Sequence, residues 1–114
     1  MATILDSFTW VVSPTGALGY PGPKMPYVAT VVEVSSYVTA ATSATFNIEE
    51  RSTIGSAGTN VLSADQVADV TGESVTSSFG NGSLAKDSFL WLDVASISGT
   101  PGYLQVGITF SYSV

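Results

Sequence analysis

A period of two runs through almost the whole chain, and it constrains the fold more than any other feature. In YLQVGITFSYSV, residues 103–114, Leu104, Val106, Ile108, Phe110 and Tyr112 alternate with Tyr103, Gln105, Gly107, Thr109 and Ser111. Successive side chains of a strand point to opposite faces, so this pattern specifies a strand with one buried and one polar face. FLWLDVASIS, residues 89–98, sets Leu90, Leu92 and Val94 on one side and Phe89, Trp91, Asp93, Ala95 and Ile97 on the other. Apolar groups on both sides predict a central or covered strand.

Earlier segments repeat the pattern. Residues 3–12, YVATVVEVSSYVTA and ATFNIEERS read as strands; in the second, Val28, Thr30, Val32, Val34, Ser36 and Val38 share one face, and in the third Phe46 and Ile48 face inward. The middle of the chain is broken by Gly, Asn and Ser and offers shorter strands at 60–62, 66–71 and 74–79. A two-turn helix over 63–70 is the rival there, because Ser63 and Gln66 match a capping box. In GTPGY, Pro101 and Gly102 suit the two central positions of a type II turn, and Asn81-Gly82 marks another turn. Seven or eight strands without a long helix predict an all-β chain, an antiparallel two-sheet β-sandwich of jelly-roll or immunoglobulin-like connectivity. The predicted core is Leu92, Val94, Leu104, Val106, Ile108, Phe110, Phe46 and Ile48.

Composition narrows the chemistry. The 114 residues include neither cysteine nor histidine, so the thiol nucleophile, the usual general base and the usual zinc ligands are all missing. Glu49, Glu50, Asp65, Asp69, Asp87 and Asp93 are the residues from which a glycosidase-like carboxylate pair could be drawn. Solvated acids at strand ends are the plainer reading. Asp65, Asp69 and Glu73 recur every fourth residue but lack the Asp-x-Asp spacing and Gly turn of a calcium loop. We therefore expect no enzyme activity, no metal and no cofactor.

Nine acidic residues stand against Lys24, Arg51 and Lys86, a net charge of −6. Three scattered cations make no phosphate-binding stripe, so nucleic acid and anionic membrane surfaces are not expected partners. No apolar window is long enough for a transmembrane helix, and MATILDSFTW lacks the basic and unbroken apolar regions of a signal peptide, so synthesis in a cytoplasm is expected. Trp10, Tyr20, Tyr27, Tyr37, Trp91 and Tyr103 could together stack on sugars if the fold gathered them on one face; packing in the core, at strand edges or in an interface is the simpler expectation.

One stretch departs from the alternation. GALGYPGPKMPY, residues 16–27, holds prolines at 21, 23 and 26. Proline removes backbone donors and favours extended paths, so the sequence predicts an arm that leaves the sandwich and packs on a neighbour. Its expected contacts are Leu18, Tyr20, Pro21, Pro23, Met25, Pro26 and Tyr27. The division predicted is residues 1–26 as N-terminal strand and arm and 27–114 as the sandwich, with the arm removable without loss of fold.

The run from Ser43 to Tyr112, with TFNI, GTNVLSADQ, FLWLDVASISGT and YLQVGITFSY, resembles the small β-sandwich domain of tailed-bacteriophage virion structural proteins, of capsid decoration or tail-fibre type. The resemblance implies an assembly role in a virion and no catalytic residue. It implies a decoration or cement protein that holds a phage head together as a homo-oligomer, such as a trimer, on a major capsid protein or another virion protein. A tail-fibre or receptor- or carbohydrate-binding module is the alternative it leaves.

Overall fold

The structure, a computed structural model, describes residues 3–39, 43–70, 74–99 and 102–113. Its strands are β1 (Thr3–Val12), β2 (Leu18–Lys24), β3 (Ala29–Val38), β4 (Ser43–Arg51), β5 (Thr59–Asn60), β6 (Gln66–Asp69), β7 (Ser74–Thr76), β8 (Ser83–Leu84), β9 (Phe89–Ser98) and β10 (Leu104–Ser113). No helix occurs among the described residues. The rival helix over 63–70 gives way to β6, because the Ser63 hydroxyl is engaged across the chain by Ser78 Oγ at 2.9 Å and does not cap a helix.

All pairings are antiparallel, in two sheets. One runs β1-β10-β3-β7, with β8 also on β3; the other runs β2-β9-β4-β5, with β6 also on β4. The chain thus doubles back as a long ribbon, pairing β1 with β10, β2 with β9, β3 with β7 and β8, and β4 with β5 and β6. Rolling that ribbon up brings β10 against β3 and β9 against β4. This strand order is that of a jelly roll, which decides between the two connectivities the alternation allowed.

One apolar core lies between the sheets. All eight residues assigned to it from the alternation are buried, with Phe46, Ile48, Leu92, Leu104, Val106 and Ile108 wholly so. Trp10 of β1, Leu84 of β8 and Met25, Val61 and Leu62 from the connections add to it.

β3 corrects the expected face. Val34, Ser36 and Val38 are buried, but beyond them Ala29 and Val31 turn inward while Val28, Thr30 and Val32 are exposed. Thr109 lies opposite Glu33 and Phe110 opposite Val31, so β3 carries one extra residue there. Such a bulge reverses which alternate residues face the core. A second register shift, with Thr45 opposite Ser96 and Phe46 opposite Val94, leaves Ala95 over in β9. It brings Ile97 onto the core side, which accounts for that apolar residue on the parity of Trp91 and Asp93.

The expected arm is the larger correction. Residues 18–24 do not leave the sandwich; they form β2, the edge of the second sheet, with Leu18 opposite Val94, Tyr20 opposite Leu92 and Pro21 opposite Trp91. Proline forbids pairing on the side its missing N–H faces, and an edge strand has one side without a partner. Pro23 falls in the register irregularity between Pro21, opposite Trp91, and Lys24, opposite Phe89, where no ladder partner is lost. The Pro21 carbonyl points away from β9, accepting a hydrogen bond from Trp10 Nε1 at 3.1 Å. Described residues before 27 thus supply strands to both sheets, and Met25 is buried to 1% exposure. The turn expected at Pro101 lies outside the described residues.

Candidate interaction surface

The residues expected to make an interface are dispersed. Met25 is a core anchor, its N–H donating to Ser88 O at 2.8 Å and its carbonyl accepting from Asp87 N at 2.7 Å. Tyr20 is half-buried against the core, and burial pushes its phenol above the ordinary tyrosine range. Leu18 and Pro21 are exposed on β2 at the rim of the second sheet, Pro26 is exposed in the bend after it, and Pro23 is half-buried. Tyr27, half exposed, lies just before β3, its ring 5.4 Å from that of Tyr112.

There the ends of β3 and β10 border an open groove of about 460 Å³, lined by Tyr27, Val28, Thr30, Lys86, Ser111 and Tyr112. The Tyr112 hydroxyl donates to Asp6 Oδ2 at 2.9 Å, and that bond is the first cause of its raised pKa. Phe110 lies 5.8 Å behind Tyr112. The groove is bordered by two tyrosine rings, the hydroxyls of Thr30 and Ser111 and the Lys86 ammonium. Sequence reasoning had not joined Tyr112 to Tyr27, because 85 positions separate them.

The remaining aromatic rings do not gather on one face. Trp10 is in the core, and Tyr37, on the outer face of the first sheet, donates to Gln105 Oε1 at 2.6 Å. Trp91 lies on the outer face of the second sheet with the Arg51 guanidinium 4.0 Å from its ring centroid. Arg51 Nε also bonds Glu49 Oε1 at 3.0 Å, and both side chains are largely covered. Glycine at 19 is required here, since a Cβ would run into the Trp91 indole.

Next to this stack, Glu49 and Asp65 lie within electrostatic reach of Asp93. Burial, then the charges of Glu49 and Asp65, push the Asp93 carboxyl up from the ordinary range, against the pull of Arg51. Glu49 and Asp93 come from neighbouring strands, Glu49 lying opposite Trp91 and Asp93 opposite Asn47. Asp65 accepts from Asn47 Nδ2 at 3.0 Å, and Asp87 lies 3.8 Å from Lys24 Nζ. Glu50 binds Asn81 Nδ2 at 2.8 Å and the Ala85 N–H. Asp69 lies opposite Ser43 in β6, away from Asp65. Glu73 falls outside the described residues, so the spaced triplet is described only at its first two members. These acids pin loops and flank a stacked cation.

No protein-family model matches the chain, and no curated protein matches it. Solved structures do. A chain of the structure of the infectious bursal disease virus Gx strain superposes with a TM-score of 0.51 at 11% identity, over 96% of this chain and 31% of that one. A chain of the cyanophage Pam1 capsid asymmetric unit gives 0.41 at 19% identity, over 98% and 84%. The chain spans about a third of the infectious bursal disease virus chain it is similar to, and at that identity the likeness is one of fold.

Proposed function

We propose that this chain is a structural subunit of a virus particle, of the capsid decoration or cement type, stabilising a phage head through contacts with its own copies and with the major capsid protein. The observation that carries the reading is the complete jelly roll, a strand order used by viral capsid domains, matched over 96% of the chain by a domain from a virus particle. Fold alone does not fix function. The sequence cues shared with phage decoration and tail-fibre sandwiches supply the second support, and an acidic, hydroxyl-rich surface suits an outer position. The reading places the chain on the virion and gives it no catalytic step.

The test is binding of the purified chain to heads of the encoding phage from which it has been stripped. Saturable binding at high copy number, with heads that then resist heat, is expected. Heads that never bind the chain, while tails or host glycans do, overturn the reading.

A tail-fibre or receptor-binding module is the second reading, favoured by the Tyr27–Tyr112 groove, since amphipathic rings beside hydroxyls suit a saccharide. Titration with host-surface glycans, with Tyr27→Ala abolishing any heat of binding, is its test.

A further inference from the structure

The two sheets have four edges, and three are guarded against pairing. β5 and β6 are two and four residues long, β7 and β8 three and two, and β2 carries Pro21 and Pro23. Short edge strands and edge prolines are the usual means of blocking strand addition. β1 has neither. It runs for ten residues, pairs along its whole length with β10, contains no proline or lysine, and has no strand on its other side among the described residues. Along β1 the Ser7 N–H is taken by Asp6 Oδ1 at 2.8 Å, and apolar side chains stand in solvent: Leu5 is 67% exposed, Val11 58% and Ile4 41%.

We infer that β1 is the site at which a second copy of this chain adds, edge to edge and antiparallel, to form a two-fold dimer with one continuous sheet. The pattern of β1 chooses the occupant. Under a two-fold axis perpendicular to the sheet, paired residues keep the same face, so their numbers sum to an even value. Centring the axis at Phe8 sets Leu5 opposite Val11 twice, on the outer face, where both are most exposed. It also sets Ile4 opposite Val12 and Asp6 opposite Trp10. Centring at Ser7 would face Leu5 with Thr9 and Val11 with Thr3, and centring at Asp6 would oppose two carboxylates. The exposed apolar residues of β1 thus pair with one another in this register, and the two Asp6 carboxylates are kept apart. The dimer takes the place of the trimer that the resemblance implied.

This inference names the partner of the assembly role proposed above and rests on that reading only for its setting. Its test uses the isolated chain. Wild type should sediment as a dimer, and the Leu5→Cys/Val11→Cys variant, in a chain with no other cysteine, should give a dimer-sized band on oxidation. Leu5→Lys and Val11→Lys should each weaken the dimer roughly tenfold or more while leaving the β-sheet circular dichroism intact, since both side chains face solvent in the monomer. Leu5→Lys combined with Val11→Glu should restore it in a salt-dependent way. A wild type that stays monomeric or forms a trimer, a cysteine variant that does not cross-link, or a dimer indifferent to both lysines overturns the inference. Failure of the virion reading would show instead in the particle-binding assay.

Discussion

Trp10 closes the open side of the sandwich between the edge strands β1 and β2, and replacing it should cost more than any other single change in β1. Its ring is 4% exposed, meets Phe8 edge-on at 4.9 Å between centroids and donates from Nε1 to the Pro21 carbonyl at 3.1 Å. Trp10→Ala should lower stability by about 3–5 kcal/mol through lost burial and the cavity left behind. Of this, ~1 kcal/mol belongs to the hydrogen bond and roughly 0.5–1.5 kcal/mol to the ring contact. Trp10→Phe keeps most of the burial and should lose about 1–2 kcal/mol, a fall in Tm of roughly 4–8 °C for a domain of this size. Gly22→Ala should approach the same range, about 1–3 kcal/mol, because its Cβ would lie 2.5 Å from Trp10 Cζ2 and 2.9 Å from the Leu90 carbonyl, which cannot move aside. Urea unfolding followed by circular dichroism, with Trp91 emission as a second probe, measures each loss against a total of about 5–15 kcal/mol. A Trp10→Ala variant within ~1 kcal/mol of wild type would refute the idea that this indole locks the two edges.

Three other perturbations probe the remaining structure. Asp93, whose folded pKa is raised, binds its proton more tightly folded than unfolded, so it lowers stability above its folded pKa and the penalty fades as pH falls through that value. Asp93→Asn should therefore raise Tm at pH 7 and lose the advantage in acid; melts showing no gain at neutral pH would contradict this. The Ser36 hydroxyl is buried without a hydrogen-bond partner among the described residues, so Ser36→Ala should stabilise by up to about 1 kcal/mol in urea titration, and a loss of more than that would reveal a bond to it. Deleting Gly16 to Lys24 should abolish the cooperative melt, since β2 covers one flank of β9 and leads into Met25; a folded deletion variant would restore the detachable arm.

Much of the site lay beyond the reach of local pattern. The residues around the Tyr27–Tyr112 groove come from both ends of the chain and from the loop bearing Lys86, and nothing in any one segment announces the others. Arg51 over Trp91 is likewise a cross-strand event: Glu49 is opposite Trp91 and Arg51 opposite Phe89 only once β4 and β9 are in register. The unguarded edge of β1 was invisible for the same reason, since an edge is defined by the neighbour a strand lacks.

What the sequence determined by itself is the period of two, and with it the strands β1, β3, β4, β9 and β10 and the eight apolar residues at their centre. Alternation is written residue by residue and depends on no partner. Only the tertiary structure decided where that alternation changes phase, at Val32–Glu33 in β3 and at Ala95 in β9, because a bulge exists only relative to the strand beside it. It also decided that a proline-rich segment is an edge strand, since proline's missing donor is harmful only where a neighbour would have used it. The rolled order that separates a jelly roll from an immunoglobulin-like sandwich was decided at the same level, by which long-range pairs the two sheets could bury together.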